Sequence, residues 1–573
     1  MYKTQIESEL KKVVTELGYN PADIVVSISE NVLFGDYTTN IALQLSKLKG
    51  EQSKQLNKES DNTQGNPRAI AEEIVEKFGH PSYLERVDIA GPGFINFFVK
   101  DESLLKTVEK QPEKSGTKDA QNLGKRYLIE YADPNTHKEF HIGHLRTLIT
   151  GESISRLLEY SGNEVYRVNY GSDIGPTVAK CLWAIAHLKE EFEKIKSATV
   201  QEKVAFLGRA YVYGNQHYES DPESKTQIDE LTKKLYVRDS LLTEMWELTK
   251  NWSLGYFETI YSKFGVEFDL RVNESEVDQV GKDIVLQHIG SVFEEDQGAV
   301  IFRGEKYGLH TRVFITAAGN PLYEAKEVGL VEKYQEKYPF DHMICLSDAR
   351  QESFFAVTNK AISLIDPHLE GKKHHFSYGT IDLTTGKMSS RAGNIVTAEE
   401  LLELVKQEII EGYGADNPQK IEKIALAAIK FYFLKYAIAS NILIDLKQAV
   451  ALHGDSGPYL LYTYARINSI LEKARELKKT EKSSSHTLET EERDVLRQLE
   501  YFEAIAERSS KDFSPNDLAN YLLNVAKAFN AFYEKYPILG SNQETLRLKI
   551  ATRVAETLKL GCYLLGFDVL DKM

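Results

Sequence analysis

Apolar positions change their spacing along the chain, and the changes divide it. Over the first hundred residues helical spacing, as in "MYKTQIESELKKVVTELGYN", gives way to "YLERVDIAGPGFINFFV", where apolar residues recur at short spacing across a Pro-Gly turn. A small α+β domain over residues 1–105 is predicted. The stretch that follows, "EKQPEKSGTKDAQNLGK", holds almost no apolar residue and reads as a linker over 106–124. The pattern then becomes strand ("KRYLIEYA"), helix ("HLRTLITGESISRLLEY"), strand ("NEVYRVNYG") and helix ("GPTVAKCLWAIAHLKEEFEKI"). Such a βαβ unit implies a parallel sheet of the nucleotide-binding type. Residues about 190–275 are charged and helical, an expected insertion, and strand-like segments return at "GAVIFR", "TRVFIT" and "HMICLS". After "MSSRAGNIVT" the spacing is helical to the end. The expected fold is multidomain α/β: a Rossmann-type catalytic domain over 125–411 with a helical insertion, the N-terminal α+β domain, and a C-terminal all-α bundle over 412–573.

Composition changes this picture little. At 573 residues, with 42% apolar and 27% charged positions, the chain is ordinary and globular, and its length suits several cores. The apolar run "IALAAIKFYFLKYAIASNILI" has the length of a membrane span but carries Lys430 and Lys435, so a buried helix is expected. The N-terminus fits neither a signal nor a transit peptide, and a cytoplasmic, monomeric protein with no membrane partner is expected. Cys181, Cys345 and Cys562 lie far apart without CxxC spacing, which signals neither a disulfide framework nor zinc. The net charge of −15 argues against a nucleic-acid partner only as a whole-molecule sum, since a local basic track can coexist with it.

Chemistry concentrates in "DPNTHKEFHIGHLRT", residues 133 to 147. His141 and His144 are three apart at what should be a helix's first turn, so both imidazoles project from one face. A metal site would need further ligands, and none is local. A helix start after a strand offers free amide groups and a positive dipole end to an anion, and Gly143 lets a phosphate or a flat base come close. Two histidines on a solvated helix start are the plain alternative. A second stretch, "GKMSSRAGN" at 386 to 394, is a Gly-flanked loop with Lys387 and Arg391 as mobile cations and Ser389 and Ser390 as donors. Each is weak alone; the pair, bracketing an α/β domain, is strong.

Here the chain resembles class I aminoacyl-tRNA synthetases, whose signatures are HIGH and KMSKS. "HIGH" is complete, and "KMSSR" is a degenerate form of the second. "IEYADPNTHKEFHIGHLRT", "VNYGSDIGPTVAK", "MSSRAGN" and "GPYLLYTYARINSIL", with "GDYTTNIALQLSK" and "AGPGFINFFV" in the N-terminal domain, resemble the arginyl-tRNA synthetase family specifically. The resemblance spans essentially the whole chain. It implies ATP, L-arginine and tRNA(Arg) as substrates, Mg²⁺ held mainly by ATP, and arginyl transfer through an adenylate to the 2′-OH of the terminal adenosine. His141, Gly143 and His144, with Met388, Ser389 and Ser390, then hold ATP. Glu130, Asn135, Tyr323, Glu327 and Gln351 hold arginine, whose planar charged fork wants rigid carboxylates and amide oxygens.

Two departures matter. The family usually has Asp where this chain has Glu327, so that carboxylate is displaced by about one carbon–carbon bond. The second signature lysine is replaced by Ser390, with the cation shifted to Arg391, and Lys138, just before HIGH, is the expected compensating cation. Asp173 in "GSDIG" either orients substrate or caps a strand end. For transfer RNA the resemblance implies Phe94 and Asn96 in the first domain. Tyr459, Tyr462 and Arg466 lie in a helical pattern of the tail, either stacking on anticodon bases or packed in the bundle core. Other readings are a class I synthetase for another amino acid, an adenylylating enzyme of small molecules, and a decayed tRNA-binding paralogue.

Overall fold

The computed structural model describes residues 2–20, 24–29, 34–55, 66–109, 124–384, 396–476 and 488–573. Strands β1 (Val26–Ile28), β2 (Tyr37–Thr39), β3 (Leu84–Ala90) and β4 (Phe94–Val99) form an antiparallel sheet in the order β1-β2-β4-β3. The strand-like close of the domain is the antiparallel pair β3 and β4, and helices Tyr2–Glu16, Ile41–Gln55 and Pro67–Phe78 complete this α+β domain. The domain is fastened to the far end of the chain: Arg493 in helix Thr490–Glu500 pairs with Asp36 at 2.8 Å and with Asp101, and Arg497 donates to the Ser29 carbonyl at 2.7 Å.

The main sheet is built from β5 (Arg126–Glu130), β6 (Glu164–Gly171) and β7 (Leu270–Asn273). β8 (Glu294–Asp296), β9 (Ala299–Phe302) and β10 (Arg312–Ile315) form a separate antiparallel sheet, and β11 (His342–Asp348) and β12 (Lys373–Tyr378) return to the first. Its order, β12-β11-β5-β6-β7, is parallel throughout. The chain winds outward from β5 on one side and from β11 on the other, so a crevice opens between their carboxyl ends, where such sheets bind ligands. Of the three strands expected to return, only "HMICLS" joins the main sheet; "GAVIFR" and "TRVFIT" pair with each other instead. β7 falls inside the stretch expected to be helical, because four residues on a sheet edge, with Arg271 exposed, carry no readable alternation. The helices there are Lys189–Ile195, Val200–Ser220, Pro222–Tyr236 and Ser240–Lys263.

Helix Ile142–Tyr160 follows β5 and is buried on nearly every side. That burial explains its weakly amphipathic sequence: one flank meets the sheet, the other meets the C-terminal helices, as in the 2.9 Å bond from Ser153 Oγ to the Leu564 carbonyl. The apolar run with Lys430 is the buried helix Pro418–Leu434, where the Lys430 ammonium donates to the carbonyls of Phe264 and Gly566 at two helix ends. Among the described residues no helix is long and apolar enough to cross a membrane. The tail is helical as expected except for β14 (Ile442–Ile444), which pairs in parallel with β13 (Ile381–Leu383).

Candidate active site

β5 ends at Glu130, and the connection to helix Ile142–Tyr160 is strained. Ala132, Asp133 and His137 have φ of 74°, 39° and 63°, a left-handed region that costs on the order of 1–3 kcal/mol for each non-glycine residue. Hydrogen bonds offset that cost. The Tyr170 amide donates to Asp133 Oδ1 at 2.9 Å, Asn169 Nδ2 to the Tyr131 carbonyl at 3.0 Å, and the Thr136 amide to the Ser172 carbonyl at 2.9 Å. His137 has no role expected from the sequence beyond that of a loop residue, yet it is fully buried. Its amide donates to Ser253 Oγ at 2.9 Å, and its ring nitrogens lie 2.9 Å from Thr136 Oγ1 and 2.8 Å from Thr249 Oγ1. Burial, then Lys250, lowers its pKa to about 3, so it is a neutral clamp between the loop and helix Ser240–Lys263.

His141 caps the next helix: its Nδ1 accepts from the amides of Gly143 at 3.1 Å and His144 at 3.3 Å. The two imidazoles stack, centroids 3.6 Å apart and planes at 17°. A Cβ on Gly143 would stand 2.9 Å from the His141 ring, which explains glycine between them. Burial, then the Lys138 charge, brings His141 to about 4, and burial, then His141, holds His144 well below the ordinary histidine value. Both rings are neutral near pH 7, each with one N–H to donate. His144 Nδ1 is buried without a partner among the described residues. Together with the helix N-terminus this is a place for an anion.

The other end of the same cavity, which measures about 540 Å³, has the opposite character. Glu130 is buried and accepts from the Tyr334 hydroxyl at 2.9 Å. Burial, then the Glu327 charge, pushes Glu130 up to about 7, and burial, then Glu130, holds Asp133 well above the ordinary value. Glu327 forms a buried ion pair with Lys373. The rim carries Asn135, Tyr323 and Gln351, with Tyr323 57% exposed. Excess buried carboxylate, part of it unpaired, suits a ligand cation.

Comparison with known proteins finds three matching family descriptions along the chain. The description "tRNA synthetases class I (R), catalytic domain" matches residues 106–441, flanked by "Arginyl tRNA synthetase N terminal domain" over 1–99 and "DALR anticodon binding domain" over 460–573. The arginine–tRNA ligase of Fusobacterium nucleatum is 31% identical over 567 residues, 96% of this chain and 95% of that one. The chain belongs to the arginyl-tRNA synthetase family. The arginine–tRNA ligase of Clostridium perfringens is 30% identical over 521 residues, 88% of this chain and 91% of its own. In fold the chain is similar to the Thermus thermophilus arginyl-tRNA synthetase, with a TM-score of 0.79 at 24% identity and full coverage of both chains. It is also similar to the Plasmodium falciparum one, with a TM-score of 0.78 at 21% identity, covering 100% of this chain and 99% of that one.

The site residues expected from the sequence divide in the structure. Glu130, Asn135, His141, His144, Tyr323, Glu327 and Gln351 line the cavity together. Asp173 does not: its carboxylate accepts from the Ser275 amide at 2.9 Å and hydroxyl at 2.6 Å, with Lys250 at 3.7 Å, so it caps the start of helix Glu274–Gln287 rather than facing the cavity. Lys138 is also outside the lining, its ammonium 4.2 Å above the Tyr211 ring of the insertion; burial, then Lys180, lowers it to about 8. Lys387, Met388, Ser389, Ser390 and Arg391 lie outside the described residues. The strand leading to them is fixed by Arg146, whose buried guanidinium donates to the carbonyls of Gly379 at 2.6 Å, Ile438 at 2.8 Å and Ser440 at 2.8 Å.

In the N-terminal domain of the synthetase Phe94 is 39% exposed, whereas buried Asn96 accepts from Thr38 Oγ1 at 2.7 Å. In the bundle Arg466 donates to the Tyr462 hydroxyl at 2.7 Å and to Asn530 at 2.9 Å, and Asn530 donates to Tyr459 at 2.9 Å. This cluster is half-buried, while neighbouring Tyr464 is core. Sequence reasoning missed Tyr334, Lys373 and Arg146. Lys373, in "GKKHHFSYG", and Tyr334, on the charged helix Tyr323–Lys337, look like surface residues until the sheet and that covering helix assemble.

Proposed function

We propose that this chain attaches L-arginine to tRNA(Arg) at the expense of ATP, and that the 540 Å³ cavity is where it does so. One observation carries the reading: a buried carboxylate end for a guanidinium and a neutral, donor-rich helix start for phosphates face a single cavity. In the first step a carboxylate oxygen of arginine attacks the α-phosphorus of ATP. The bond to the β-phosphate oxygen breaks, giving arginyl-adenylate and pyrophosphate. In the second, the 2′-OH of the terminal adenosine attacks the arginyl carbonyl, its proton passes to solvent or phosphate, and AMP leaves. Neither step requires a protein nucleophile, so rate comes from positioning and from donors aimed at charge growing on the phosphates.

Glu130, with Asp133, receives the guanidinium in this reading, Asn135, Tyr323 and Gln351 fix the amino-acid backbone, and Glu327 contributes from the pocket floor. His141 and His144 donate to ATP, and Gly143 gives the phosphates room. Lys387 and Arg391 supply cations to the phosphates, and Met388, Ser389 and Ser390 complete the ATP-binding set. Lys138 is the compensating cation and leaves Tyr211 to act. Mg²⁺ accompanies the nucleotide and neutralises its phosphates; the cavity carboxylates Asp348 and Glu324 already accept from Arg350 and Arg312. Asp173 acts at a distance, by holding the loop end through Ser275. Phe94 meets the corner of the transfer RNA with Asn96 shaping its strand, and Tyr459, Tyr462 and Arg466 offer a stacking platform to the anticodon.

The decisive test charges a pool of transfer RNA transcripts with each amino acid in turn, beside ATP–pyrophosphate exchange with and without transfer RNA. Charging with arginine alone is expected. Charging with another amino acid overturns the substrate, and charging with none favours a binding protein.

A further inference from the structure

Lys373 has no part in the roles above. It opens β12, and its neighbour across the ladder is Met343 of β11, two residues before Cys345, which pairs with Glu130. Side chains alternate across a strand, so Lys373, Met343, Cys345 and Glu130 share one face, with Lys373 about 7 Å deeper along the strands than Glu130. Its stem carries the ammonium to Glu327, and the two paired side chains are 5% and 4% exposed. The Phe355 ring covers the ammonium at 5.1 Å. Burial alone would favour the neutral amine, but Glu327, then Cys345 and Glu130, outweigh it and raise the pKa above the ordinary lysine value. Lys373 lies outside the cavity lining, but its pair with Glu327, which does line it, sets a cation behind the pocket floor before substrate arrives.

Cations compete for carboxylates. We propose that Lys373 is a specificity-determining positioning residue behind the amino-acid pocket: it takes the carboxylate of Glu327, sets a fixed positive charge beneath the floor, and leaves Glu130 to the substrate's guanidinium. The proposal rests on the arginine reading above. It also accounts for glutamate at position 327 where the family usually has aspartate, since the longer side chain is what reaches the lysine. A substrate cation one methylene longer would be driven against the ammonium.

The test compares Lys373→Met and Glu327→Gln by the pH dependence of kcat/KM for arginine. The groups facing Glu130 are Glu327 and Tyr334 on the covering helix, Asp133 on the loop, Cys345 on β11 and Lys373 on β12. Lys373→Met removes the cation and keeps Glu327, so the acid limb moves up by about one pH unit. The KM for arginine rises about tenfold with kcat nearly unchanged, and homoarginine gains relative to arginine. Glu327→Gln frees the ammonium to occupy Glu130, so the KM again rises while the acid limb moves down. A merely structural role cannot produce opposite shifts. Limbs that move the same way, or stay, overturn the proposal, and each variant decides by its own direction if the other does not fold. A wild-type protein that charged a different amino acid would overturn the arginine reading instead, and the same shifts measured with that amino acid would still decide the role of Lys373.

Discussion

The two ends of the cavity grow from one strand end and differ in every electrostatic respect. Glu130 is the last residue of β5 and His141 lies eleven positions on, yet the first end is anionic and half-titrated near neutrality while the second is neutral. The same burial acts on both. It disfavours charge, so carboxylates crowded with Glu327 rise towards neutral pH, and imidazoles beside Lys138 fall far below it. A crowded carboxylate group remains ready to ionise for an arriving cation. A neutral imidazole pair on a helix start offers donors without a counter-charge to displace. Burial thus prepares one cavity for both charges of a transition between amino acid and nucleotide.

The largest test of this contrast is Glu130→Gln. It removes a buried acceptor from one end only, so the KM for arginine rises about 100-fold while the KM for ATP stays within about threefold. Steady-state kinetics varying each substrate check it, and equal rises in both constants would break the division. Next in size, His144→Ala removes a donor placed for charge that develops during reaction, so kcat falls about 30-fold with the KM for arginine nearly unchanged. Single-turnover adenylate formation is the measurement; a loss confined to arginine affinity would assign the histidine to the wrong end. The smallest effect separates the ends by pH. In the proposed reading Glu130 binds a guanidinium when ionised, and its pKa is pushed up to about 7, so kcat/KM for arginine is expected to fall as pH drops through that value and to level off above it. The imidazoles are neutral on both sides of it, so between about pH 6 and 8 the KM for ATP changes less than about twofold. An ATP constant that tracked the arginine limb would show the histidines titrating with the carboxylates.

The legible parts of the molecule were those in which function and local pattern coincide. "HIGH" is readable because a strand, a turn and a helix start follow one another in sequence, and the stacked pair at 3.6 Å is the geometry that spacing implies. Glu130 and Asn135 flank the same turn and could be assigned with it. The strand β12 was not legible, since its six residues are all half-buried and two are histidines, so neither alternation nor apolar content marks it. Nor was the place of Asp173, whose alternatives of substrate contact and cap differ only in what faces it; Ser275, a hundred residues later, decides for the cap. Lys138 was assigned from its position before the histidines, but its resting partner Tyr211 belongs to the insertion and no local spacing points to it.

The sequence by itself determined the three-part architecture and the βαβ unit with its histidine-bearing helix start, because these depend on periodicity and short-range order, and its motifs carried the resemblance to the family. Tertiary structure alone decided which strands share the main sheet, which carboxylates crowd one another, and which cation answers them. Glu130, Glu327 and Lys373 come from β5, helix Tyr323–Lys337 and β12, and the pKa values of Glu130 and Lys373 are displaced over distances that exist only once those elements pack. His137, a plain loop residue in sequence, became a buried clamp for the same reason: partners of its ring and its amide across 112 and 116 residues of chain are a property of the fold.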